Sequence, residues 1–334
     1  MKEFVIKSNE ANQRFDKYLK KLLPNAGTSF IYKMLRKKNI TINKKKATGK
    51  EIISNGDVVN IFFSDETFEK FSTNDSELKS CFETLSTLDL AGLQIIKETA
   101  DILVANKPAN MLSQKAADTD ISANERLIGY LIKTNQLSYE DYKTFKPSVC
   151  NRLDRNTTGL ILMGKTLNGL QELSKSLKDR SINKYYRTIV SGEISSSMTI
   201  KGYLTKNTST NKVTITDDKI SEDSQYIETA YKPVSCKNNL TLLEVHLITG
   251  RSHQIRAHLS HLGNPIIGDF KYGDRKLNSF FDNKFGLNYQ FLYAYKLIFK
   301  GADGKLEYLK NKTIAESLPP MFKKIKKDVF KFTI

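Results

Sequence analysis

The residues best suited to chemistry lie in the stretch 151–160, where the carboxylate of Asp154 stands between Arg152 and Arg155. A carboxylate on a loop between two cations should stay ionised at neutral pH. Such a group is suited to act as a nucleophile or an electrostatic stabiliser rather than as a proton donor. The alternative is a structural arginine–aspartate pair that fixes the loop, and the spacing alone leaves both interpretations open.

The element that must position Asp154 follows it directly in the chain. Residues 159–164 are short and apolar, and Gly159 and Gly164 bound them. This pattern is typical of a buried strand that is entered from a loop. We therefore expect Asp154 on a loop that leads into a buried strand.

Two further positions carry reactive side chains. In residues 249–259, Ser252 can cap a helix on which Arg256 lies one turn further on. Tyr186 stands near the start of a predicted strand, where an aromatic side chain is most often part of the core. Contact with a substrate ring is the other interpretation of Tyr186.

Residues 151–159 resemble the catalytic segment of the RluA family of pseudouridine synthases, which is usually written His-Arg-Leu-Asp-x-x-Thr-Ser-Gly. Asn151 stands where His is usual, and Thr158 stands where Ser is usual. The resemblance implies that Asp154 is the catalytic residue. It also implies that Arg152 fills the space left by an extruded base or holds a phosphate. What the usual His would contribute at position 151 stays open.

Two more motifs of the same family follow in the same order. A Lys-x-Tyr motif matches residues 184–186, which implies that Tyr186 stacks on the target uracil and assists the final loss of a proton. A Gly-Arg-x-His-Gln-Ile-Arg motif matches residues 250–256. It implies that Arg256 is the basic partner of the catalytic carboxylate and that Arg251 holds the loop or a phosphate.

The resemblance extends to Lys107 and covers the chain from about residue 12 to residue 273. Residues 101–108 are similar to a family strand that ends in Asn-Lys-Pro. Lys107 could therefore contact a phosphate, and a solvent-exposed lysine without such a role is the open alternative.

Residues 1–63 are strongly basic, with 14 Lys and Arg residues against 5 Asp and Glu residues, a net charge of +9. The pattern predicts one helix before Pro24 and a second that begins near Thr28 or Ser29, either of which could cap it. Short strands should follow the second helix.

This order of elements resembles an S4-type RNA-binding domain over residues 12–63. In such a domain two helices present basic residues to a folded RNA, and a small sheet backs them. The resemblance implies that Lys33, Arg36 and Lys37 contact RNA phosphates. The alternative is a solvated charged face.

The rest of the chain is predicted to form a linker and an α+β catalytic domain. Residues 64–90 contain seven acidic residues and two lysines without a clear period, which indicates an acidic linker. From residue 91 to residue 334, strand patterns with few helices favour a mostly antiparallel mixed sheet. The predicted strands span residues 102–105, 159–163, 186–190, 212–215, 225–231, 240–248 and 291–299, with helices at 166–177 and in a basic tail from about residue 318.

Composition narrows the partner to a polyanion. The 334-residue chain has a net charge of +17 and a pI near 9.5. No apolar run approaches the roughly 20 residues that span a bilayer, which favours a cytoplasmic nucleic acid over a membrane. The three cysteines are too scattered for a zinc site or a disulfide framework, as expected in a reducing compartment.

No pattern indicates a cofactor or a metal. Neither a Gly-x-Gly-x-x-Gly sequence nor a P-loop occurs. His253, His258 and His261 are spaced by five and three residues, and no cysteine or carboxylate completes a ligand set.

The function expected from the resemblance is isomerisation of uridine to pseudouridine in RNA by a monomeric enzyme. The substrate would be ribosomal RNA, most of all 23S RNA, with tRNA second. Two other classes stay open: a non-catalytic RNA-binding protein of ribosome assembly, and a metal-dependent nuclease. A nuclease would need clustered carboxylates, but the acidic residue nearest to Asp154 in sequence is Asp141.

Overall fold

Two β-sheets organise the part of the chain that the structure describes. The structure is a computed structural model that describes residues 1–72, 74–206, 213–301 and 304–330. The N-terminal elements are β1 (Lys2–Val5), α1 (Phe15–Leu22), α2 (Thr28–Arg36), β2 (Ile40–Ile42), β3 (Lys45–Lys46) and β4 (Val58–Ile61). Their strands form an antiparallel sheet in the order β1-β4-β2-β3.

The two N-terminal helices each bury one apolar side. Phe15 and Leu19 on α1 and Ile31 and Leu35 on α2 are buried at helical spacing. These side chains belong to one core cluster with residues of β2 and β4. The N-terminal helices and sheet therefore share a core of their own.

The prediction of a linker over residues 64–90 is wrong, because two helices occupy most of it. These are α3 (Asp65–Phe71) and α4 (Asp75–Thr87). Ser64 and Asn74 cap them by accepting hydrogen bonds from backbone N–H groups. Phe68 packs into the N-terminal core, while Leu85 packs into the core of the larger sheet. The N-terminal core thus extends past residue 63 into α3.

The larger sheet is mixed and mostly antiparallel, as predicted. Its strands are β5 (Gln94–Glu98), β6 (Ile102–Lys107), β7 (Ser148–Val149), β8 (Thr158–Gly164), β9 (Ile182–Ser191), β10 (Met198–Lys206), β11 (Val213–Thr216), β12 (Gln225–Lys237), β13 (Leu240–Leu247), β14 (Leu292–Phe299) and β15 (Thr313–Ala315). The order is β11-β10-β12-β13-β9-β14-β8-β6-β5, with β15 beside β14 and β7 beside β8. Strands β14 and β8 run parallel. Lys212, the first residue of one predicted strand, lies outside the described residues.

Helices flank this sheet. They are α5 (Ala123–Lys133), α6 (Tyr139–Thr144), α7 (Leu167–Lys178), α8 (Gln254–His261), α9 (Arg275–Phe285) and α10 (Pro320–Phe330). Helices α7 and α10 stand where the sequence pattern predicts them. No helix in the described ranges has the length and apolar character needed to cross a membrane.

Two predicted helix caps are wrong, because in each helix the cap position is held by a different residue from the one expected. Helix α2 begins at Thr28, so Gly27 takes the cap position, and no side chain caps there. Helix α8 begins after His253 rather than after Ser252, and His253 has a left-handed backbone with φ of 54°. The His253 side chain makes no cap hydrogen bond and is free to point elsewhere.

Gly159 lets two strands meet where the Asp154 loop enters the sheet. It has φ of +120°, and a Cβ at this position would lie 2.3 Å from the carbonyl oxygen of Ala294 on β14. Thr158 and Gly159 are the residues of β8 that pair with β14. A larger residue at position 159 would push β14 away from the loop.

The side chain of His258 is buried on α8. Its Nδ1 lies 3.4 Å from Thr229 Oγ1, and its ring packs edge-on against Tyr231. Burial, and to a smaller extent the nearby His261, lower the pKa of His258 to about 4. The unfolded chain then binds a proton that the folded chain excludes, so stability is lost as the pH falls from about 6.5 towards 4.

We expect His258→Gln to reduce this acid lability. Between pH 6.5 and 4.5, the wild type should lose more free energy of unfolding than the variant, by about 2 kcal/mol. Denaturant unfolding at both pH values measures the difference, and His261→Gln, at an exposed position of the same helix, is the control. Equal losses in the wild type and His258→Gln would contradict the prediction.

Candidate active site

The loop that carries Asp154 is fixed to strand β8. The Asn151 side chain donates to the carbonyl of Leu160 over 3.3 Å and accepts from the N–H of Leu162 over 2.7 Å. The N–H of Thr157 donates to the carbonyl of Asp154 over 3.0 Å. Asn151, which replaces the usual histidine, therefore holds the loop against the strand.

The prediction that Lys107 contacts phosphate is wrong, because its side chain is fully buried. Its Nζ donates to the carbonyls of Pro108, Met111 and Arg155 over 2.8, 2.8 and 3.0 Å. Burial lowers the pKa of Lys107, and the nearby Asp154 partly offsets this effect, so that the pKa is about 7. Three carbonyl acceptors match the three N–H donors of an ammonium group. Lys107 thus joins the end of β6 to the Asp154 loop.

Arg256 links Asp154 to a second carboxylate. Its Nη1 donates to Asp154 Oδ2 over 2.8 Å, while its Nε and Nη2 donate to the two oxygens of Asp269 over 2.7 and 2.9 Å. Asp269 is fully buried. Burial opposes the charge of Arg256, but the two carboxylates outweigh it and raise its pKa. The guanidinium is therefore charged and held on both sides, and the structure brings Arg256 to Asp154 as the motif implies.

Two anchors of the site lie outside the residues that sequence reasoning selected. The buried Asp269 fixes Arg256 and lies within residues 264–273, a stretch of the family resemblance that could have found it. Ser113 brackets Leu153, since its hydroxyl accepts from the N–H of Leu153 and donates to the carbonyl, both over 2.9 Å. No sequence pattern marks Ser113.

Tyr186 lies on β9 next to Asp154 and is only 5% exposed. Burial raises the pKa of its phenol, and the negative charge of Asp154 raises it further. The hydroxyl therefore keeps its proton at neutral pH. Tyr186 can stack on a ring or donate a hydrogen bond, but a role as a phenolate base is unfavourable here.

A small pocket of about 50 Å³ lies beside Asp154. Its walls include Arg152, Tyr186, Arg251, His253, Ile255 and Arg256. A larger cleft of about 1120 Å³ shares several of these residues, Asp154 and Tyr186 among them. The pocket and the cleft thus adjoin at the carboxylate.

The larger cleft is strongly cationic. Among its described lining residues Asp154 is the one carboxylate. Its cations are Lys115, Arg152, Arg155, Lys178, Arg180, Lys184, Lys206, Arg251 and Lys271. Arg152 and Arg251 are exposed and line both the cleft and the small pocket. A polyanion is the ligand that such a surface attracts.

Lys33, Arg36 and Lys37 lie elsewhere. All three are exposed and do not line the cleft; Lys33 and Arg36 lie on α2, and Lys37 follows its last residue. They form a second basic surface, which we call the α2 basic face. The structure does not bring this face together with Asp154.

In the ranges that the structure describes, no group of three or more His, Cys, Asp or Glu side chains could hold a metal ion. The three histidines of residues 253–261 have separate surroundings. His253 faces Tyr272, His258 is buried against Thr229, and His261 is exposed.

Comparison with known proteins places this site in a family context. The family model described as RNA pseudouridylate synthase matches residues 101–261, a range that contains Asp154, Tyr186 and Arg256. An uncharacterized RNA pseudouridine synthase of Mycoplasma capricolum subsp. capricolum is 31% identical over 323 residues, which cover 95% of this chain and 98% of the relative.

Other relatives carry more specific names. The ribosomal large subunit pseudouridine synthase C of Rickettsia felis is 32% identical and covers 85% of this chain and 87% of its own length. The protein of the same name from Vibrio vulnificus is 29% identical, with 88% and 87% covered. Among solved structures, human RNA pseudouridylate synthase domain containing 4 has a TM-score of 0.54 at 21% identity, with 74% of this chain and 94% of that chain covered. This last likeness concerns the fold.

Proposed function

The chain belongs to the RNA pseudouridine synthase family, and we propose that it isomerises uridines of 23S ribosomal RNA, as a monomer in the cytoplasm. The relatives of Rickettsia felis and Vibrio vulnificus, named for the large ribosomal subunit, support this substrate. The reaction turns uridine into pseudouridine by moving the base from an N-glycosidic to a C-glycosidic bond.

The observation that carries the proposal is the pairing of Asp154 with Arg256 at the junction of a small pocket and a cationic cleft. The cationic cleft can bind the phosphates of a folded RNA. The pocket beside the carboxylate is the place for one extruded base. A single carboxylate in the pocket suits attack on the sugar–base bond better than hydrolysis by clustered metal ions.

Three residues of the pocket act on the uridine itself. Asp154 makes the covalent or ion-pair contact that lets the glycosidic bond break, and the uracil then turns and rejoins through C5. Tyr186 stacks on the uracil face. Arg256 holds the carboxylate ionised and aimed.

Two exposed arginines contact the RNA and take no part in breaking the glycosidic bond. Arg152 lies two residues before Asp154 and lines both the pocket and the cleft. It fills the space that the extruded base leaves or holds the neighbouring phosphate. Arg251 lines the same two spaces from the loop before α8 and holds a phosphate.

The α2 basic face supplies a separate contact to structured RNA, as in an S4-type domain. We expect the triple variant Lys33→Glu, Arg36→Glu and Lys37→Glu to weaken RNA binding, because three phosphate contacts and their counterion release are lost. The slope of log affinity against log salt should become shallower by about 1 for each lost contact. The kcat on saturating RNA should be largely kept, since these residues lie outside the cleft. Filter binding across a salt series measures the slope.

The control for this prediction reverses exposed lysines on α10, at positions Lys324, Lys326 and Lys327. It changes the net charge by the same amount at a different place. An equal loss of affinity in both variants would mean that only total charge matters. An unchanged salt slope in the α2 variant would mean that its basic face is solvated and binds no RNA.

Mapping of pseudouridine tests the proposed substrate. Ribosomal RNA and tRNA from cells with and without this protein are compared for modified uridines. We expect one or more pseudouridines of 23S RNA to be lost without the protein and restored by the purified enzyme acting on the unmodified RNA. Losses confined to tRNA would overturn the assignment to ribosomal RNA.

A further inference from the structure

A second pair of side chains, His253 and Tyr272, stands behind the Asp154 carboxylate. His253 Nδ1 lies 2.9 Å from the Tyr272 hydroxyl oxygen. On the other side of the ring, His253 Nε2 lies 4.0 Å from Asp154 Oδ2. His253 also lines both the small pocket and the cationic cleft. The ring therefore lies between a phenol and the reacting carboxylate.

The hydrogen bonds around Tyr272 favour a proton on Nε2 of His253 over one on Nδ1. The N–H of Val213, the first residue of β11, donates to the Tyr272 hydroxyl oxygen over 3.1 Å. The hydroxyl keeps its own hydrogen to donate, and His253 Nδ1 is the acceptor within reach. Nδ1 is then unprotonated, and the proton of the neutral ring lies on Nε2. An N–H that faces the carboxylate is favoured there over a lone pair.

The neutral state of the ring agrees with its surroundings. Burial lowers the pKa of His253, and Arg256 and Lys271 lower it further, while Asp154 and Asp269 oppose them. At neutral pH the ring therefore offers Asp154 one N–H dipole and no full charge.

Both donors of the site act on the same oxygen of Asp154. Arg256 Nη1 bonds to Oδ2, and the His253 Nε2–H faces Oδ2. We propose that Tyr272 and His253 are positioning residues that, together with Arg256, fix Oδ2 and leave Oδ1 as the oxygen that reacts. The 4.0 Å separation makes the His253 contact electrostatic rather than a direct hydrogen bond. This assignment rests on the proposed role of Asp154.

The same contacts connect Asp154 to strand β11 through His253 and Tyr272. Strand β11 ends the sheet order and pairs with β10. Its Val213 N–H orients the Tyr272 hydroxyl, which selects the His253 tautomer. Val213 itself lines the cleft. RNA that fills the cleft therefore lies against the first member of a chain of contacts that ends at the carboxylate.

Tyr272→Phe is the decisive variant, because it removes only the hydroxyl. The ring stays beneath the Arg256 guanidinium, whose central carbon lies 5.2 Å from the ring centroid. We expect kcat to fall by about 10-fold with KM unchanged, less than the loss of a direct oxyanion donor would cost. His253→Ala should lose at least as much. His253→Gln, whose amide can place an N–H near the former Nε2, should recover to within about 3-fold of the wild type.

Nuclear magnetic resonance of protein labelled with ¹⁵N-histidine gives a readout that needs no substrate. The chain has only four histidines, so each can be assigned by substitution. We expect His253 of the wild type to be protonated on Nε2 and to become a mixture of tautomers in Tyr272→Phe. Tyr226→Phe, which removes an exposed hydroxyl bonded to Glu228, is the matched control for both measurements.

The outcomes separate this inference from the proposed function. Wild-type kcat in both Tyr272→Phe and His253→Ala, with Asp154→Asn inactive, would overturn the positioning role and leave Asp154 in place. Protonation of His253 on Nδ1 in the wild type would overturn the tautomer assignment. An active Asp154→Asn enzyme would instead overturn the proposed site itself.

Discussion

Asp154→Asn should reduce pseudouridine formation by at least about 1,000-fold, because it removes the nucleophilic carboxylate. The amide has nearly the same volume and can still accept a hydrogen bond from Arg256 through its carbonyl oxygen. RNA binding should stay within a few-fold of the wild type. Any change should be towards tighter binding, since a negative charge leaves a cationic cleft. Release of tritium from RNA labelled at uridine C5 measures turnover, because C5 exchanges its hydrogen for the sugar bond.

The control for Asp154→Asn is Asp118→Asn, at an exposed position outside the cleft. It should leave both turnover and binding unchanged. Turnover of the Asp154→Asn enzyme near the wild-type rate would remove Asp154 from the reaction. Loss of RNA binding together with turnover would mean that the substitution disturbs the loop instead of the chemistry.

The second large effect is expected at Arg256, on stability as well as activity. Arg256→Met removes the partner of Asp269, which is fully buried, and leaves that carboxylate without a counter-charge. The free energy of unfolding should fall by about 3–5 kcal/mol. Arg256→Lys should also lose activity, because an ammonium cannot make the bidentate contact with Asp269 and still reach Asp154.

A double variant separates the two roles of Arg256. In Arg256→Met with Asp269→Asn, the stranded charge is gone, so much of the stability should return while kcat stays low. Denaturant unfolding and single-turnover kinetics on the same preparations measure both. Arg126→Met, which breaks a salt bridge with the exposed Asp89, is the control and should cost little. A stable Arg256→Met protein would contradict the importance of the buried pair.

Much of the fold follows from local patterns in the sequence. The buried strand β8 and the helix α7 are visible because an apolar run bounded by glycines and an amphipathic period are local signals. The helices α3 and α4 are not visible in this way. They are polar on most positions, and their few apolar residues divide between two cores, which only tertiary packing reveals.

Residues of the candidate site could be predicted from the sequence only where they belong to a family motif. Asp154 and Arg256 are 102 residues apart, and it is the family resemblance, not spacing, that pairs them. Lys107 could not be placed correctly from the sequence. Lysine side chains are rarely buried, so the residue type alone predicts an exposed side chain. Its burial depends on three carbonyls that converge only in the folded chain. The contact of His253 with Tyr272 depends in the same way on a left-handed residue at the start of α8.

The place of β14 in the larger sheet determines when this protein can fold during its synthesis. Strand β14 is formed by residues 292–299 but lies between β9 and β8, so it joins the two halves of the sheet. At about 5–20 residues per second, a ribosome needs about 5–20 s to go from the end of β9 to the start of β14. During that time Thr158 and Gly159 of β8 and one whole edge of β9 have no neighbour on the side that β14 will take, while β7 and Asn151 already cover the rest of that edge of β8. The nascent chain therefore passes through a period in which the open edge of β9 can pair with other chains.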